Sequence, residues 1–276
     1  MNWKNTLQEP DYEDKTLPYY DELILVVKGS RVFGEVYVPG GIYEKPRPCV
    51  CMFHGIPGTA VNDDLAQDFR RAGCVVIRIF HRGAWGSEGE YSFSHCIEDA
   101  VETARYAVSE EAVSKYHIDP ENVFIFGHSN GGNTVINAMK DLPFIKGAAA
   151  IAPYDHAPAW KRQDTAFLNE LIYGEAKFLH TDPDALWKDS GEHWRKWEFT
   201  NAAETLKDRN FLIIGGTVDA VAQPELMVEP LWEKLEAQGT SANHRKILYH
   251  AGHGFDNCRM QLAEDVTRWI EEVSET

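Results

Sequence analysis

The sequence predicts an α/β fold built on a mostly parallel sheet, and two observations support this prediction. Short apolar runs rich in β-branched residues alternate along the chain with longer segments of helical periodicity. Such alternation is typical of a mostly parallel sheet with helices on both faces. The chain has 276 residues, 43% of them hydrophobic, which favours one large core with an insertion over two equal domains. We expect eight strands, a core domain over residues 1–153 and 201–276, and a helical cap over 154–200.

The predicted elements follow in chain order. Residues 22–27 and 32–38 form a hairpin, and further strands are predicted at 49–53, 74–79, 123–127, 147–151, 211–214 and 246–249. Helices are predicted at about 62–72, 95–115 and 131–141 and at the C terminus. The helix over 95–115 depends on apolar residues at helical spacing, namely Ile97, Ala100, Val101, Ala104 and Val108. The C-terminal helix repeats that spacing with Leu262, Val266, Trp269 and Ile270.

A G-x-S-x-G motif, Gly127-His128-Ser129-Asn130-Gly131, lies between a predicted strand and a predicted helix. In this context the motif indicates a nucleophile elbow, a tight turn that presents the serine at the carboxyl end of a strand. The turn requires strained backbone angles, and the residues packed against it must therefore be small. We predict that Ser129 is a nucleophile. The alternative is a glycine-rich turn with a solvated serine.

A serine nucleophile needs a base and a residue that orients the base. Asp219 follows the predicted strand 211–214, and His253 follows the last predicted strand. We predict that His253 is the base and Asp219 its partner, which completes the order Ser, Asp, His. The alternatives are a helix N-cap for Asp219 and a turn histidine for His253. Asp155, which follows strand 147–151, is a weaker alternative for the acid.

Two backbone N–H groups should stabilise the negative charge of the reaction intermediate. One belongs to Asn130, at the start of the helix that follows the elbow. The strand at 49–53 leads into the loop His54-Gly55-Ile56-Pro57-Gly58. With this loop, the chain from Leu23 to Ile270 resembles an α/β-hydrolase, and the resemblance implies that Ile56 supplies the second N–H. The segment Arg82 to Tyr91 is similar to the R-G-x-G-x-S-x-G segment of esterases and prolyl-oligopeptidase-like hydrolases.

Three other histidines, His54, His81 and His128, are interpreted as structural. The predicted cap is rich in large aromatic residues, most of which we expect to pack the cap onto the core. One or two should line the substrate pocket, because such sites exclude water with apolar walls. Trp160 and Tyr154 are the predicted substrate-binding residues, and Trp160 is preferred because it closely follows strand 147–151.

Composition restricts the partners. A formal net charge of −16 and a pI near 5.1 argue against nucleic acids and anionic membranes. No apolar run is long enough to span a bilayer, and the N terminus lacks the features of a signal peptide. Five cysteines, three of them on predicted buried strands, suggest reduced thiols and a cytoplasmic protein. We expect no metal and no cofactor, and a homodimer is left open.

The resemblance implies a serine hydrolase that cleaves carboxylic esters through an acyl-enzyme. Within the family, the hairpin, the H-G-x-P loop and the cap most resemble cinnamoyl or feruloyl esterases, which suggests aryl or hydroxycinnamoyl esters. A small prolyl-oligopeptidase-like peptidase is the second hypothesis. A non-catalytic ligand-binding protein is the third, and the presence of Ser129, Asp219 and His253 argues against it. The sequence does not specify the ester.

Overall fold

One eight-stranded sheet organises the chain, which the computed structural model describes over residues 1–12, 16–59, 62–239 and 242–276. The strand order is β1-β2-β4-β3-β5-β6-β7-β8. The strands are β1 (Tyr19–Val27), β2 (Ser30–Val38), β3 (Arg47–Phe53), β4 (Val75–Ile79), β5 (Ile118–His128), β6 (Gly147–Ile151), β7 (Asn210–Gly216) and β8 (His244–Tyr249). β1 and β2 pair as an antiparallel hairpin, β2 pairs antiparallel with β4, and all later pairs are parallel. The predicted eight strands and their mostly parallel arrangement are confirmed.

Eleven α-helices lie within the described part of the chain. They are α1 (Asp63–Arg71), α2 (Phe93–Ala107), α3 (Glu110–Tyr116), α4 (Asn130–Ala138), α5 (Ala157–Arg162), α6 (Ala166–Ala176), α7 (Pro183–Trp197), α8 (Phe199–Leu206), α9 (Pro224–Met227), α10 (Glu229–Gln238) and α11 (Arg259–Ser274). None of the helices in these described ranges has both the length and the apolar character needed to cross a membrane.

The strand order explains why helices cover both faces of the sheet. The connection from β3 through α1 to β4 runs in one direction along the sheet, and the connection from β4 through α2 and α3 to β5 runs back. Because both crossovers between parallel strands are right-handed, α1 and α2 must lie on opposite faces. The packing agrees, since α1 contacts α11 while α2 contacts α4. Strands β3, β4 and β6 are buried along their whole length, as expected for strands covered on both sides.

One predicted helix is interrupted. The continuous helix expected over 95–115 is wrong, because α2 ends at Ala107 and α3 begins at Glu110. Ser109 lies between them in an extended conformation, and its side chain accepts a hydrogen bond from the Ala112 N–H at 3.2 Å. Serine competes well for this capping position, which a search for apolar periodicity does not detect.

Four helices, α5 to α8, occupy the connection between β6 and β7. α5 and α6 both contact neighbouring helix α7, and α8 contacts α4 and α10 of the core. The connection starts at the carboxyl end of β6, which is the edge of the sheet where β5 delivers Ser129. The segment predicted as a cap is therefore attached beside the predicted nucleophile.

Candidate active site

Ser129 occupies a sharp turn between β5 and α4, with φ 59° and ψ −120°. A side chain in this region of backbone angles is strained, and the strain persists only where the surroundings enforce it. Here the backbone packs closely around the turn, and the neighbouring glycines permit this packing. A Cβ at Gly127 would overlap the carbonyl oxygen of Gly131, and a Cβ at Gly131 would overlap that of Phe53. The backbone is too close at both positions for any other residue, as the sequence predicted.

The loops after β7 and β8 bring together the other two predicted catalytic residues. His253 Nδ1 lies 2.8 Å from Asp219 Oδ2, in hydrogen-bond geometry. The other oxygen, Asp219 Oδ1, accepts the backbone N–H groups of Val221 at 2.8 Å and Ala222 at 2.9 Å. Burial acts to raise the pKa of Asp219, but the bonds from His253 and the two N–H groups outweigh it and hold the pKa below its usual value of 3.8. Asp219 is therefore an ionised acceptor fixed in one orientation.

The loop after β3 packs directly on the nucleophile. A Cβ at Gly55 would lie 2.9 Å from Ser129 Cβ and 3.4 Å from Ser129 Oγ, so the glycine permits this close approach. Ile56 follows in the same loop and lines the cavities at Ser129. Asn130 begins α4, so its N–H is one of the four that have no intrahelical acceptor. Both predicted oxyanion donors thus belong to segments that border Ser129.

His54 fixes the shape of this loop. Its Nδ1 lies 2.6 Å from the Gly55 carbonyl oxygen, and its Nε2 lies 3.1 Å from the backbone N of His81. Nε2 must accept the His81 N–H, so the proton is on Nδ1 and is donated to Gly55. Burial lowers the pKa of His54 to about 3, which keeps the ring neutral. The structural interpretation of His54 fits these contacts. The ring of His81 is itself buried beside it, with Nδ1 3.4 Å from Asp99 Oδ2.

His128, inside the elbow, supports the base. Its Nε2 lies 2.8 Å from the carbonyl oxygen of His253, and the two rings lie 4.9 Å apart. Because a carbonyl oxygen only accepts, His128 carries its proton on Nε2 and donates it to the loop of His253. Burial lowers the pKa of His128 to about 4. The residue before the nucleophile therefore holds the segment that carries the base.

Two cavities meet at Ser129. The smaller has a volume of about 10 Å³, and its walls are mostly apolar, contributed by Ile56, Phe93, Tyr154, Leu168, Leu171 and Ile172. The larger has a volume of about 280 Å³, and its walls include Gly55, Pro57, His128, Glu175, Val221 and His253. We call them the inner cavity and the outer cleft. Ser129 lines both, whereas His253 lines the outer cleft and is not among the described residues that line the inner cavity.

The two predicted substrate-binding residues lie in different surroundings. Tyr154 is buried and lines the inner cavity. Trp160 packs on Trp187, with ring centroids 4.8 Å apart, and its Nε1–H donates to Ser190 Oγ at 3.0 Å. Trp160 is not among the described residues that line either cavity at Ser129. Its position matches the packing role expected for most aromatic residues of this segment.

Asp155, the weaker alternative for the catalytic acid, has other partners. Its Oδ1 accepts the Ala157 N–H at 2.8 Å and its Oδ2 accepts the Phe199 N–H at 3.0 Å. Both oxygens therefore hold the backbone where the helical segment leaves and rejoins the core. Burial raises the pKa of Asp155 to about 7.

Within the described ranges, no group of three His, Cys, Asp or Glu side chains could hold a metal ion.

Comparison with known proteins identifies the family. The sequence model described as serine aminopeptidase, S33, matches residues 44–192, which is more than half of the chain. The chain belongs to this serine hydrolase family. The matched part includes the loop of Ile56, the elbow and most of the helical segment. A comparison with curated proteins found no sequence match.

Solved structures share the α/β-hydrolase fold. A brefeldin A esterase, described as a bacterial homologue of human hormone sensitive lipase, has a TM-score of 0.68 at 17% identity, over 99% of this chain and 82% of that one. The esterase Est1E from Butyrivibrio proteoclasticus has a TM-score of 0.64 at 16% identity, over 92% and 99%. An acetyl xylan esterase from a Thermoanaerobacterium species has a TM-score of 0.65 at 17% identity, over 96% and 92%. These likenesses establish the fold of the family member described here.

Several residues at the site were not found by sequence reasoning. Phe93 of α2 and Leu168, Leu171 and Ile172 of α6 line the inner cavity, but apolar residues at helical spacing look the same whether they face a core or a substrate. Glu175 extends the same face of α6 by one turn and reaches the outer cleft. A carboxylate that continues an apolar helical stripe is the signal that could have identified this face.

Proposed function

We propose that the protein hydrolyses carboxylic esters through an acyl-enzyme, with Ser129 as nucleophile, His253 as base and Asp219 as the residue that orients His253. The observation that supports this most directly is the bond between His253 Nδ1 and Asp219 Oδ2, at a site where Ser129 is held in a strained turn. With Nδ1–H donated to Asp219, Nε2 is left with its lone pair. That lone pair is what a general base requires.

In the proposed reaction Ser129 Oγ attacks the ester carbonyl carbon while His253 Nε2 takes the hydroxyl proton. The carbonyl oxygen becomes an oxyanion and is bound by the N–H groups of Ile56 and Asn130. His253 then gives its proton to the alcohol oxygen, and the carbon–oxygen bond breaks. Water activated by His253 releases the acid from Ser129 by the same steps. Asp219 stays ionised and stabilises the imidazolium.

The two cavities support a placement for each half of the substrate. The leaving alcohol must receive its proton from His253, and His253 lines the outer cleft. The acyl part then points into the inner cavity, whose volume of about 10 Å³ is close to that of one water-sized sphere. We therefore propose a short acyl group and a larger alcohol part. Under this proposal the ring of an aryl ester belongs to the alcohol, and a short acyl group is favoured over a hydroxycinnamoyl group.

The family description favours a second candidate, an aminopeptidase. Such an enzyme cleaves the bond next to a free amino group, so the ammonium charge lies on the acyl part of its substrate. A carboxylate in the acyl site would pair with that charge. The described lining of the inner cavity has no acidic residue, and Glu175 lies in the outer cleft. This distribution supports ester over amino-terminal peptide cleavage.

A panel of p-nitrophenyl esters of increasing acyl length, with an aminoacyl p-nitroanilide alongside, tests the proposal. We expect the highest kcat/KM for the shortest acyl groups and little cleavage of the anilide. Ser129→Ala should lower kcat by roughly 10⁴–10⁶-fold while the far-ultraviolet circular dichroism and Tm stay those of a folded protein. A folded variant that keeps most of its activity would contradict the assignment. A fluorophosphonate should label the wild type alone, whereas a non-catalytic binder would not react.

Three further proposals concern the whole protein. The helical segment over 154–200 acts as a cap that sets ester selectivity, which the lining of the inner cavity by α6 supports. Tyr154 contacts the substrate from its position in the same wall.

A cytoplasmic location is supported by four buried free thiols, Cys49, Cys51, Cys74 and Cys96, because free thiols persist in reducing compartments. The homodimer stays a prediction.

A further inference from the structure

One side chain in the wall of the inner cavity has a ring nitrogen without a partner. The ring of His156 lines this cavity and is 1% exposed. Its Nδ1 lies 2.8 Å from Ser190 Oγ, but its Nε2 is buried and has no hydrogen-bond partner among the described residues. A buried polar group without a partner is destabilising unless something binds it. The nearby rings of Phe93 and Trp197 have centroids 4.5 and 5.9 Å from that of His156. A contact with an aromatic ring is a weaker partner for a ring nitrogen than a hydrogen bond with an oxygen.

The hydrogen bonds around Ser190 decide which form His156 takes. Trp160 Nε1–H can only donate, and it donates to Ser190 Oγ at 3.0 Å. Ser190 is itself fully buried, so its own O–H also needs an acceptor. The His156 Nδ1 lone pair supplies it. His156 then carries its proton on Nε2, and the unpartnered ring nitrogen is a donor.

The charge state of His156 agrees with this assignment. Burial lowers the pKa of His156 to about 3, so the ring is neutral under ordinary conditions. Around the donor, the cavity wall is otherwise mostly apolar, with Phe93, Leu168 and Ile172 among its members. An N–H in such a wall binds an oxygen acceptor more strongly than it would in water, and it leaves an all-carbon group without compensation.

We propose that His156 Nε2–H selects a short acyl group that carries an oxygen acceptor on its chain, such as a hydroxyacyl or alkoxyacyl group. The inference rests on the proposed function, because it assigns the inner cavity to the acyl part. Trp160 and Ser190 act as positioning residues, since they fix the proton of His156 without lining the cavity.

Two pairs of p-nitrophenyl esters of nearly equal size provide the test. Methoxyacetate is compared with butyrate, and glycolate with propionate, so that each pair exchanges a carbon for an oxygen at the same chain position. The oxygen also activates the ester chemically. This effect cancels when the ratio of the two kcat/KM values is compared between wild type and variant. In His156→Phe the preference for the oxygenated ester should fall about fivefold or more, the scale of one hydrogen bond.

Matched variants separate the donor from the shape of the cavity. Ile172→Val enlarges the same cavity without changing its polarity, so it should change both members of each pair together and leave their ratio unchanged. Ser190→Ala removes the hydroxyl group that fixes the His156 proton on Nε2. This variant should therefore lower the ratio in the same direction as His156→Phe. An unchanged ratio in folded His156→Phe, or an equal fall in Ile172→Val, would overturn the inference.

A measurement on the wild type that does not depend on catalysis tests the inference even where a variant fails to fold. Nitrogen NMR of the wild type distinguishes a ring protonated on Nε2 from one protonated on Nδ1, and the loss of the signal in any soluble His156 variant assigns it. Protonation on Nδ1 would overturn the inference even if every ester is cleaved. Conversely, a wild type that cleaves no ester and resists the fluorophosphonate contradicts the proposed function, whatever form His156 takes.

Discussion

Replacing Asp219 with Asn tests the catalytic base through its partner. Asp219 Oδ1 already accepts two backbone N–H groups, from Val221 and Ala222. In Asp219→Asn those two donors should retain the amide oxygen, which turns the amide NH₂ toward His253. The NH₂ group can only donate, so His253 must offer the Nδ1 lone pair and carry its proton on Nε2. In that form the ring cannot take the proton of Ser129.

The magnitude follows from losing the base while the rest of the site is kept. The oxyanion donors and both cavities do not involve Asp219, so binding should be largely retained. We expect kcat to fall by about 10³–10⁴-fold, which corresponds to roughly 4–5.5 kcal/mol of transition-state stabilisation. KM for a short ester should change by less than about tenfold, because the lost interaction matters in the transition state.

Steady-state kinetics on p-nitrophenyl acetate, with Asp155→Asn as the matched control, measure the effect. Asp155 is also a buried carboxylate that accepts two backbone N–H groups, but both come from the ends of the helical segment. Its variant should lose about 1–3 kcal/mol of stability and keep kcat within about tenfold. If the two variants showed the reverse pattern, Asp155 would be the acid and the argument from the strand ends would be refuted.

Three other predictions concern the support of the site. Gly131→Ala should lower both Tm and kcat, because a Cβ at this position overlaps the Phe53 carbonyl oxygen. Gly174→Ala on α6, where a Cβ meets nothing within 4 Å, should instead raise stability by up to about 1 kcal/mol. Thermal unfolding of the two variants measures the contrast, and equal effects would contradict it. The folded-state pKa of His156, about 3, lies below its ordinary value of 6.5, so the unfolded chain binds a proton that the folded chain does not. Stability should therefore fall as the pH drops below 6.5, and in urea titrations from pH 6 to 4 His156→Phe should reduce the slope by about 1.4 kcal/mol per pH unit. The lowered pKa values of His54 and His128 leave a slope of the same sign in the variant, and a slope equal to that of the wild type would place the effect elsewhere. Trp160→Ala should cost about 2 kcal/mol of stability through the lost contact with Trp187 without changing the ranking of aryl against alkyl alcohols, and a changed ranking would return Trp160 to the substrate pocket.

The sequence predicted the sheet and the positions of the candidate triad for a local reason. Ser129, Asp219 and His253 each follow an apolar strand directly, and the carboxyl ends of parallel strands meet at one edge of the sheet. The order of strands was not needed for this argument. Adjacent pairing of β5, β6, β7 and β8 then brings the three loops together.

The inner cavity could not be predicted in the same way. Its walls come from α2 and α6, far apart in the chain, and their residues have no polar mark that separates a substrate wall from a core. The direction of Trp160 could not be predicted for a related reason, because closeness to β6 in sequence does not say which way a helix faces. α5 turns this side chain toward Trp187 and Ser190. Packing between helices, which a single sequence does not encode locally, decides both outcomes.

The bond from His128 to the carbonyl oxygen of His253 has a mechanical consequence. It connects the turn that carries the nucleophile directly to the loop that carries the base, although β6 and β7 lie between their strands in the sheet. A motion of the sheet that moves β5 and β8 apart would stretch this hydrogen bond before it separated the two reacting groups. Thermal inactivation of the family member described here should then begin with rupture at this junction, ahead of global unfolding, and His128 would be the first position at which to engineer a more heat-resistant catalyst.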